Sequence, residues 1–246
     1  MFDRKNKNRD NMTPAEARKT LADNLSFAAA EAYKLLRTNL DFSIPDGKGA
    51  KIIGVTSALR GEGKSTTAVN IAYTMAQTAE KVLLIECDLR LPTLAKRIRV
   101  KARPGLSNLL VGQCNGNEAL QKSGLLPNLW VMTAGDIPPN PAELLGSDNM
   151  AVTLKAVSEV FDVIIVDLPP VTAVSDAVIV SKLVDGMVVV VRQEYCDRAA
   201  VEETVRQLRF VEAKILGFVM TGADTQSKNY KRYGKVYGDY KQTSAK

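Results

Sequence analysis

The 246-residue chain contains no histidine. That removes His-based catalytic triads and His-ligated metals, and leaves carboxylates, lysine, arginine and a bound metal ion to carry any chemistry. Cysteine is scarce: Cys87, Cys114 and Cys196 are scattered without pairing or metal-ligand spacing, which points to a reducing cytoplasm. Tryptophan occurs once, and no apolar run reaches the roughly 18–20 residues that a membrane-spanning helix needs. The opening stretch MFDRKNKNRDNM is charged and lacks the apolar core of a secretory signal. A cytoplasmic protein is the expectation.

What is present is the balance of an ordinary globular domain, 46% hydrophobic and 24% charged. The net charge of +6 is unevenly placed. From Thr225 onward Lys228, Lys231, Arg232, Lys235, Lys241 and Lys246 face only Asp239, so the tail carries five of the six net charges. A basic tail on a nearly neutral body is not a basic binding face, and no nucleic-acid partner is expected.

The first 13 residues are polar and read as disordered. Residues 14–42 read as helical, from the Thr13-Pro14-Ala15-Glu16 start through AAAEAYKLLRTNLDF. After Ile44-Pro45-Asp46-Gly47 the pattern alternates. Buried strands are expected at 51–57, 81–87, 128–133, 162–167, 186–191 and 214–220, with helices at 65–79, 148–160 and 197–211. Continuously apolar strands alternating with helices predict a doubly wound α/β domain, its mostly parallel sheet covered on both faces, spanning 14–224. Residues 225–246 have no apolar period and read as a flexible tail.

ALRGEGKST at 58–66 follows a strand and opens a helix, the context that a phosphate-binding P-loop requires. Glycines let backbone N–H groups converge on phosphate oxygens, and the helix N-terminus adds positive potential. Arg60, Gly61, Glu62, Gly63, Lys64, Ser65 and Thr66 are the candidate nucleotide contacts. Lys64 would neutralise β/γ-phosphate charge, and Ser65 would offer its hydroxyl to Mg²⁺. The opening glycine of the usual pattern is replaced by Ala58.

Two strands end in acids. VLLIECDLRLP places Glu86 and Asp88 at one strand tip, and FDVIIVDLPP places Asp167 at another. Ligands of open α/β sheets bind at the carboxyl ends of strands, so Asp88 and Asp167 join Ser65 as candidate metal residues. Asp88 is the candidate acceptor of a proton from an attacking hydroxyl. Glu86 either joins it or bonds the P-loop backbone, and Arg90 stands to pair with a phosphate or a carboxylate.

These residues resemble the bacterial tyrosine kinases that regulate capsule and exopolysaccharide synthesis, in the short form without a transmembrane domain, a branch of the partitioning-ATPase-like P-loop proteins. The resemblance runs from about residue 26 through EAYKLLRTNLDF, GEGKST, ECDLRLP, GLSNLLVG (105–112), GDIPPNPAELLGS (135–147) and DLPPVTAVSDAVIVSKLVDGMVVVVR (167–192) to a terminal tyrosine cluster. It implies ATP- and Mg²⁺-dependent autophosphorylation in trans, within a ring-shaped homo-oligomer such as an octamer. It also implies a separate membrane activator of the polysaccharide co-polymerase type, which recruits the kinase to the inner face of the plasma membrane, and sugar-nucleotide enzymes as further substrates. The family's oligomer motif, Glu-x-x-Arg-x-x-Arg, reads here as Glu31, Lys34 and Arg37. Lysine keeps the charge but loses the bidentate fork. The family usually has Asp where this chain has Glu86, and Asn where it has Thr221.

Four of the seven tyrosines, Tyr230, Tyr233, Tyr237 and Tyr240, fall in the last 17 residues and are the candidate acceptors. Four phosphates would add roughly −6 to −8 and turn the basic tail net negative. The rival reading is a regulatory ATPase of the partitioning or division-site type. Those relatives usually carry a further lysine at the position of Leu59 and lack the tyrosine cluster.

Overall fold

The computed structural model describes residues 21–45, 47 and 49–223. The four tail tyrosines, the first 13 residues and the 14–20 part of the predicted helix lie outside the described residues.

In chain order the helices are α1 (Phe27–Ser43), α2 (Lys64–Met75), α3 (Leu94–Ile98), α4 (Leu106–Leu110), α5 (Gly116–Ala119), α6 (Pro141–Leu145), α7 (Asp148–Ser158), α8 (Asp176–Val180) and α9 (Arg198–Phe210). The strands are β1 (Lys51–Ser57), β2 (Val82–Glu86), β3 (Gln121–Lys122), β4 (Leu129–Met132), β5 (Val163–Asp167), β6 (Gly186–Arg192) and β7 (Ile215–Thr221). They form one sheet in the order β3-β4-β2-β5-β1-β6-β7, parallel throughout except for β3 against β4. This is the doubly wound α/β architecture expected of the apolar strand pattern.

Strand alternation sorts the side chains into two cores. Val82, Leu84, Val163 and Ile165 face one way, onto Ala68, Val69 and Ala72 of α2 and Leu40 of α1. Leu83, Ile85, Ile164 and Val166 face the other, onto Met150 and Leu154 of α7 and Leu208 of α9. The same period of two gives Glu86, Asp88 and Asp167 the α2 side. The strand order does the rest. Because β5 inserts between β1 and β2, Asp167 lies in register with both Val55 and Glu86. The carboxyl ends of β1, β5 and β2 therefore stand side by side, with the P-loop at the first.

Two local expectations are revised. The helix read over 14–42 is interrupted: a 3₁₀ turn occupies Ala22–Asn24, and α1 starts at Phe27, where Ser26 Oγ accepts the Ala29 N–H. Tertiary contact overrides propensity here. Leu21 and Ala22 are buried, Ala22 has φ +54, and its N–H donates to Asn70 Oδ1 of α2 at 2.9 Å. The second revision concerns β7, read as covered on both faces: Phe218 and Met220 are exposed. Among the described residues, no helix is long and apolar enough to cross a membrane.

Candidate active site

The P-loop joins β1 to α2 and owes its path to two glycines. Gly61 and Gly63 have φ of +88° and +94°, the left-handed region that L side chains rarely adopt, and Gly63 is the N-cap of α2. Glu62, a candidate nucleotide contact by sequence, has its carboxylate engaged within the protein. It is fully buried, and its oxygens accept the N–H groups of Leu59 (2.6 Å) and Arg192 (3.1 Å).

Lys64, the first residue of α2, reaches across to Asp88 just beyond β2, with Nζ 2.8 Å from Oδ2 and both side chains largely buried. Asp88 Oδ1 also accepts the Leu91 N–H at 3.1 Å, which fixes the carboxylate. Burial works against the Lys64 ammonium, but the carboxylates of Asp167 and Asp88 outweigh it and hold the group above its usual range. Asp167, at the end of β5, is fully buried, and neither carboxylate oxygen has a hydrogen-bond partner among the described residues. Burial raises its pKa, opposed by Lys64 and by Ser65, whose hydroxyl lies near without closing a bond of ordinary geometry. A buried carboxylate with both oxygens unpartnered is costly, and this one sits beside the Ser65 hydroxyl and the start of a helix. That donor set, oxygen only and few in number, suits Mg²⁺ completed by phosphate oxygens and water.

The Glu86/Asp88 pair anticipated from sequence does not act as a pair. Glu86 Oε1 accepts the N–H groups of Thr93 and Leu94 at 2.5 and 2.7 Å, and Oε2 accepts that of Ala134 at 3.2 Å. Its carboxylate thus ties the start of α3 to the exit of β4, and the P-loop backbone is not among its partners. Burial nonetheless pushes its pKa from 4.5 up to about 7. The folded state therefore holds the proton more tightly than the unfolded chain between these values. Stability contributed at low pH is lost as pH rises through that window, by about 3 kcal/mol when complete. Glu86→Gln removes this titration. Its stability relative to wild type, measured by urea unfolding, is expected to improve by about that amount between pH 4.5 and pH 8.

Arg90, left between phosphate and carboxylate by sequence, forms a bidentate pair with Asp176 of α8, at 2.9 and 3.0 Å. Asp176 is fully buried, so Arg90 bolts the β2 exit to the start of α8. Arg97 of α3 was not anticipated. Its Nη1 donates to Thr66 Oγ1 at 3.0 Å and its Nε to Thr93 Oγ1 at 3.1 Å, which brings a second cation to the P-loop beside Lys64. The i,i+4 spacing of Thr93 and Arg97 was its only trace in the sequence.

In the predicted oligomer segment, Lys34 pairs with Glu31 at 2.8 Å on the exposed face of α1. Arg37 Nη1 instead donates to the Thr74 carbonyl at the end of α2, at 3.0 Å. A cation there satisfies a helix C-terminus and docks α1 on the P-loop helix.

Comparison with known proteins agrees with this geometry. The AAA domain family matches residues 50–216. The tyrosine-protein kinase YwqD of Bacillus subtilis (strain 168) is 37% identical over 206 residues, 83% of this chain and 86% of that protein. The solved kinase domain of the Escherichia coli tyrosine kinase ETK aligns with a TM-score of 0.76 at 32% identity, over 84% of this chain and 82% of that one. The solved chimerical protein CapA2B2 aligns equally well, TM-score 0.76 at 31% identity, over 83% and 88%. A P-loop, a lysine–aspartate pair and a buried strand-end aspartate on this fold, with these relatives, place the chain in the bacterial tyrosine kinase family.

Proposed function

We propose that this kinase transfers the γ-phosphoryl group of ATP to Tyr230, Tyr233, Tyr237 and Tyr240 of a neighbouring subunit in a ring. The observation that supports it most is the convergence of Lys64, Asp88 and Asp167 on the P-loop end of α2. Phosphoryl transfer needs positioning and charge neutralisation more than covalent chemistry. Lys64 supplies the charge. Its ammonium has three N–H groups, so it can keep Asp88 while turning another donor to a phosphate oxygen. Ser65, Asp167 and Asp88 are the residues that would hold Mg²⁺, which supplies charge neutralisation across the phosphate oxygens. Arg97 adds a fixed cation at Thr66.

A tyrosine hydroxyl ionises near pH 10, so a carboxylate must orient it and take its proton as the phenol oxygen bonds to phosphorus and ADP leaves. Asp88 has the reach: it stands on the same side as the P-loop and is held by Leu91 N–H and Lys64. Asp88→Asn is expected to lower the phosphorylation rate by roughly 10²- to 10⁴-fold at saturating Mg·ATP, since a positioned base is worth that much. Intact-mass spectrometry after incubation with Mg·ATP reads this directly. A variant that gains phosphate at the wild-type rate refutes the role, and ADP release by wild type without any gain in mass favours a regulatory switch.

The assembly rests on Glu31, Lys34 and Arg37 of α1, in keeping with the family motif. With Arg37 engaged on α2, the exposed Glu31 and Lys34 are the groups left for a neighbour. Regulation of capsule or exopolysaccharide synthesis follows from the kinship, as does recruitment by a membrane co-polymerase-type partner. Sugar-nucleotide enzymes are the further substrates it suggests.

A further inference from the structure

Three consecutive P-loop carbonyls are each held by a side chain from outside the loop. Tyr195 Oη donates to the Arg60 carbonyl at 2.8 Å, Arg192 Nη1 to that of Gly61 at 3.0 Å, and Thr221 Oγ1 to that of Glu62 at 2.6 Å. The donors come from the last residue of β6, the turn after it, and the last residue of β7. None belongs to the phosphate motif.

A trans peptide is planar, with its C=O and N–H pointing to opposite sides. Fixing the carbonyls of 60, 61 and 62 therefore also fixes the N–H groups of 61, 62 and 63, on the opposite side. Those amides, with the N–H groups of Lys64 and Ser65, close no hydrogen bond of ordinary geometry among the described residues. The Leu59 N–H is by contrast consumed by Glu62, so the free cradle begins after it. Successive N–H groups turned to one side form a concave anion site.

The arrangement answers a weakness of glycine-rich loops. Gly61 and Gly63 give the loop its path, but glycine has the most conformational freedom to lose on ordering. A loop ordered only by its ligand would bear that cost at binding. The clamp is also built around the glycine itself: a Cβ at Gly61 would come within 2.9 Å of Tyr195 Oη. Arg192 further steadies Tyr195, its guanidinium carbon 5.0 Å from the ring centroid, and donates its own backbone N–H to Glu62.

We propose that Arg192, Tyr195 and Thr221 are positioning residues that preset the phosphate cradle, and so determine the enzyme's affinity for nucleoside di- and triphosphates. This deepens the nucleotide-binding reading of residues 58–66 and rests on it. Because the clamp acts on the phosphate cradle, ADP and ATP are affected alike.

Thr221→Val and Tyr195→Phe each remove one hydroxyl and little volume, while Thr221→Ser keeps the donor. Calorimetric titration of the full chain with Mg·ADP is expected to show about 3- to 10-fold weaker binding in each of the first two variants, the worth of one hydrogen bond. KM for ATP should rise in step, with kcat at saturating ATP within about twofold of wild type. Thr221→Ser should return to wild-type affinity. Variants that melt lower without nucleotide yet bind ADP like wild type would overturn the proposal, as would a loss of kcat at unchanged KM. If wild type itself fails to bind ADP, the nucleotide-site reading falls. If only the variants are unaffected, the clamp alone falls.

Discussion

Replacing Asp167 by asparagine is expected to stabilise the nucleotide-free protein and to end its kinase activity. Asp167 is fully buried with both carboxylate oxygens unpartnered, and burial raises its pKa despite the nearby Lys64. An isosteric neutral amide removes a buried charge that the fold leaves without a hydrogen bond, worth about 1–3 kcal/mol, or roughly 2–12 °C in Tm for a domain of this size. The pH dependence has a definite sign. A carboxylate whose folded pKa is raised destabilises the fold above that pKa, and the cost vanishes below its unfolded value. The gain from Asp167→Asn should therefore be largest at pH 8 and shrink as the solution is acidified through the carboxylate range. Differential scanning calorimetry from pH 4 to pH 8 checks this. Phosphorylation should fall by roughly a thousandfold, about 4 kcal/mol of transition-state stabilisation. The extra thermal stability that Mg·ATP confers on wild type should be lost as well. A variant that melts lower than wild type would mean that the attraction between Asp167 and Lys64 outweighs the cost of burying the carboxylate.

Lys64→Met should do the opposite to stability while also abolishing transfer. It strips the cation from Asp88 and Asp167 at once, and breaking a buried pair from one side costs about 3–5 kcal/mol. A drop in Tm of roughly 6–20 °C follows. Partial recovery is expected at acid pH, where Asp167 takes up a proton. Adding Asp167→Asn to Lys64→Met should recover more at neutral pH than Asp167→Asn gains alone, because the two side chains are coupled through space. Additive effects in that double variant would separate Lys64 from Asp167 energetically and contradict the geometry. Chemically the expected loss is at least as large as for Asp167, since in the proposed transfer Lys64 is the cation that meets the phosphates.

The contrast between these two variants shows which parts of the site can be read from a sequence. The P-loop was legible because it is local: glycines, lysine and serine sit within nine residues, between a strand and a helix. The strands were legible for the same reason, since runs such as FDVIIVD carry their burial in their composition. Strand order is not local. Nothing in the chain from 51 to 167 announces that β5 inserts between β1 and β2, yet that insertion is what brings Asp167 between the P-loop and Asp88. Glu86 was read as a neighbour of Asp88 on the same strand tip. Its commitment to the amides of Thr93, Leu94 and Ala134 depends on where α3 and the β4 exit come to rest. Arg90 found Asp176 across 86 residues, and Tyr195 found Arg60 across 135. Side chains that act at such range leave little periodic or motif signal. The helix start at Phe27 was obscured for the converse reason: the sequence before it favours a helix, and burial of Leu21 and Ala22 against α2 prevails.

Transfer to the terminal tyrosines of another subunit is tested most directly by a mixing experiment. The acceptor is Asp167→Asn, folded, inactive and with its tail intact. The enzyme is a variant with Tyr230, Tyr233, Tyr237 and Tyr240 all changed to Phe, active but without tail acceptors. The two are mixed with Mg·ATP and resolved by intact mass and peptide mapping. The expected result is phosphotyrosine on the tail of the Asp167→Asn subunit, absent when either protein is incubated alone. An unmodified Asp167→Asn tail in the mixture, under conditions where wild type phosphorylates itself, would contradict transfer between subunits.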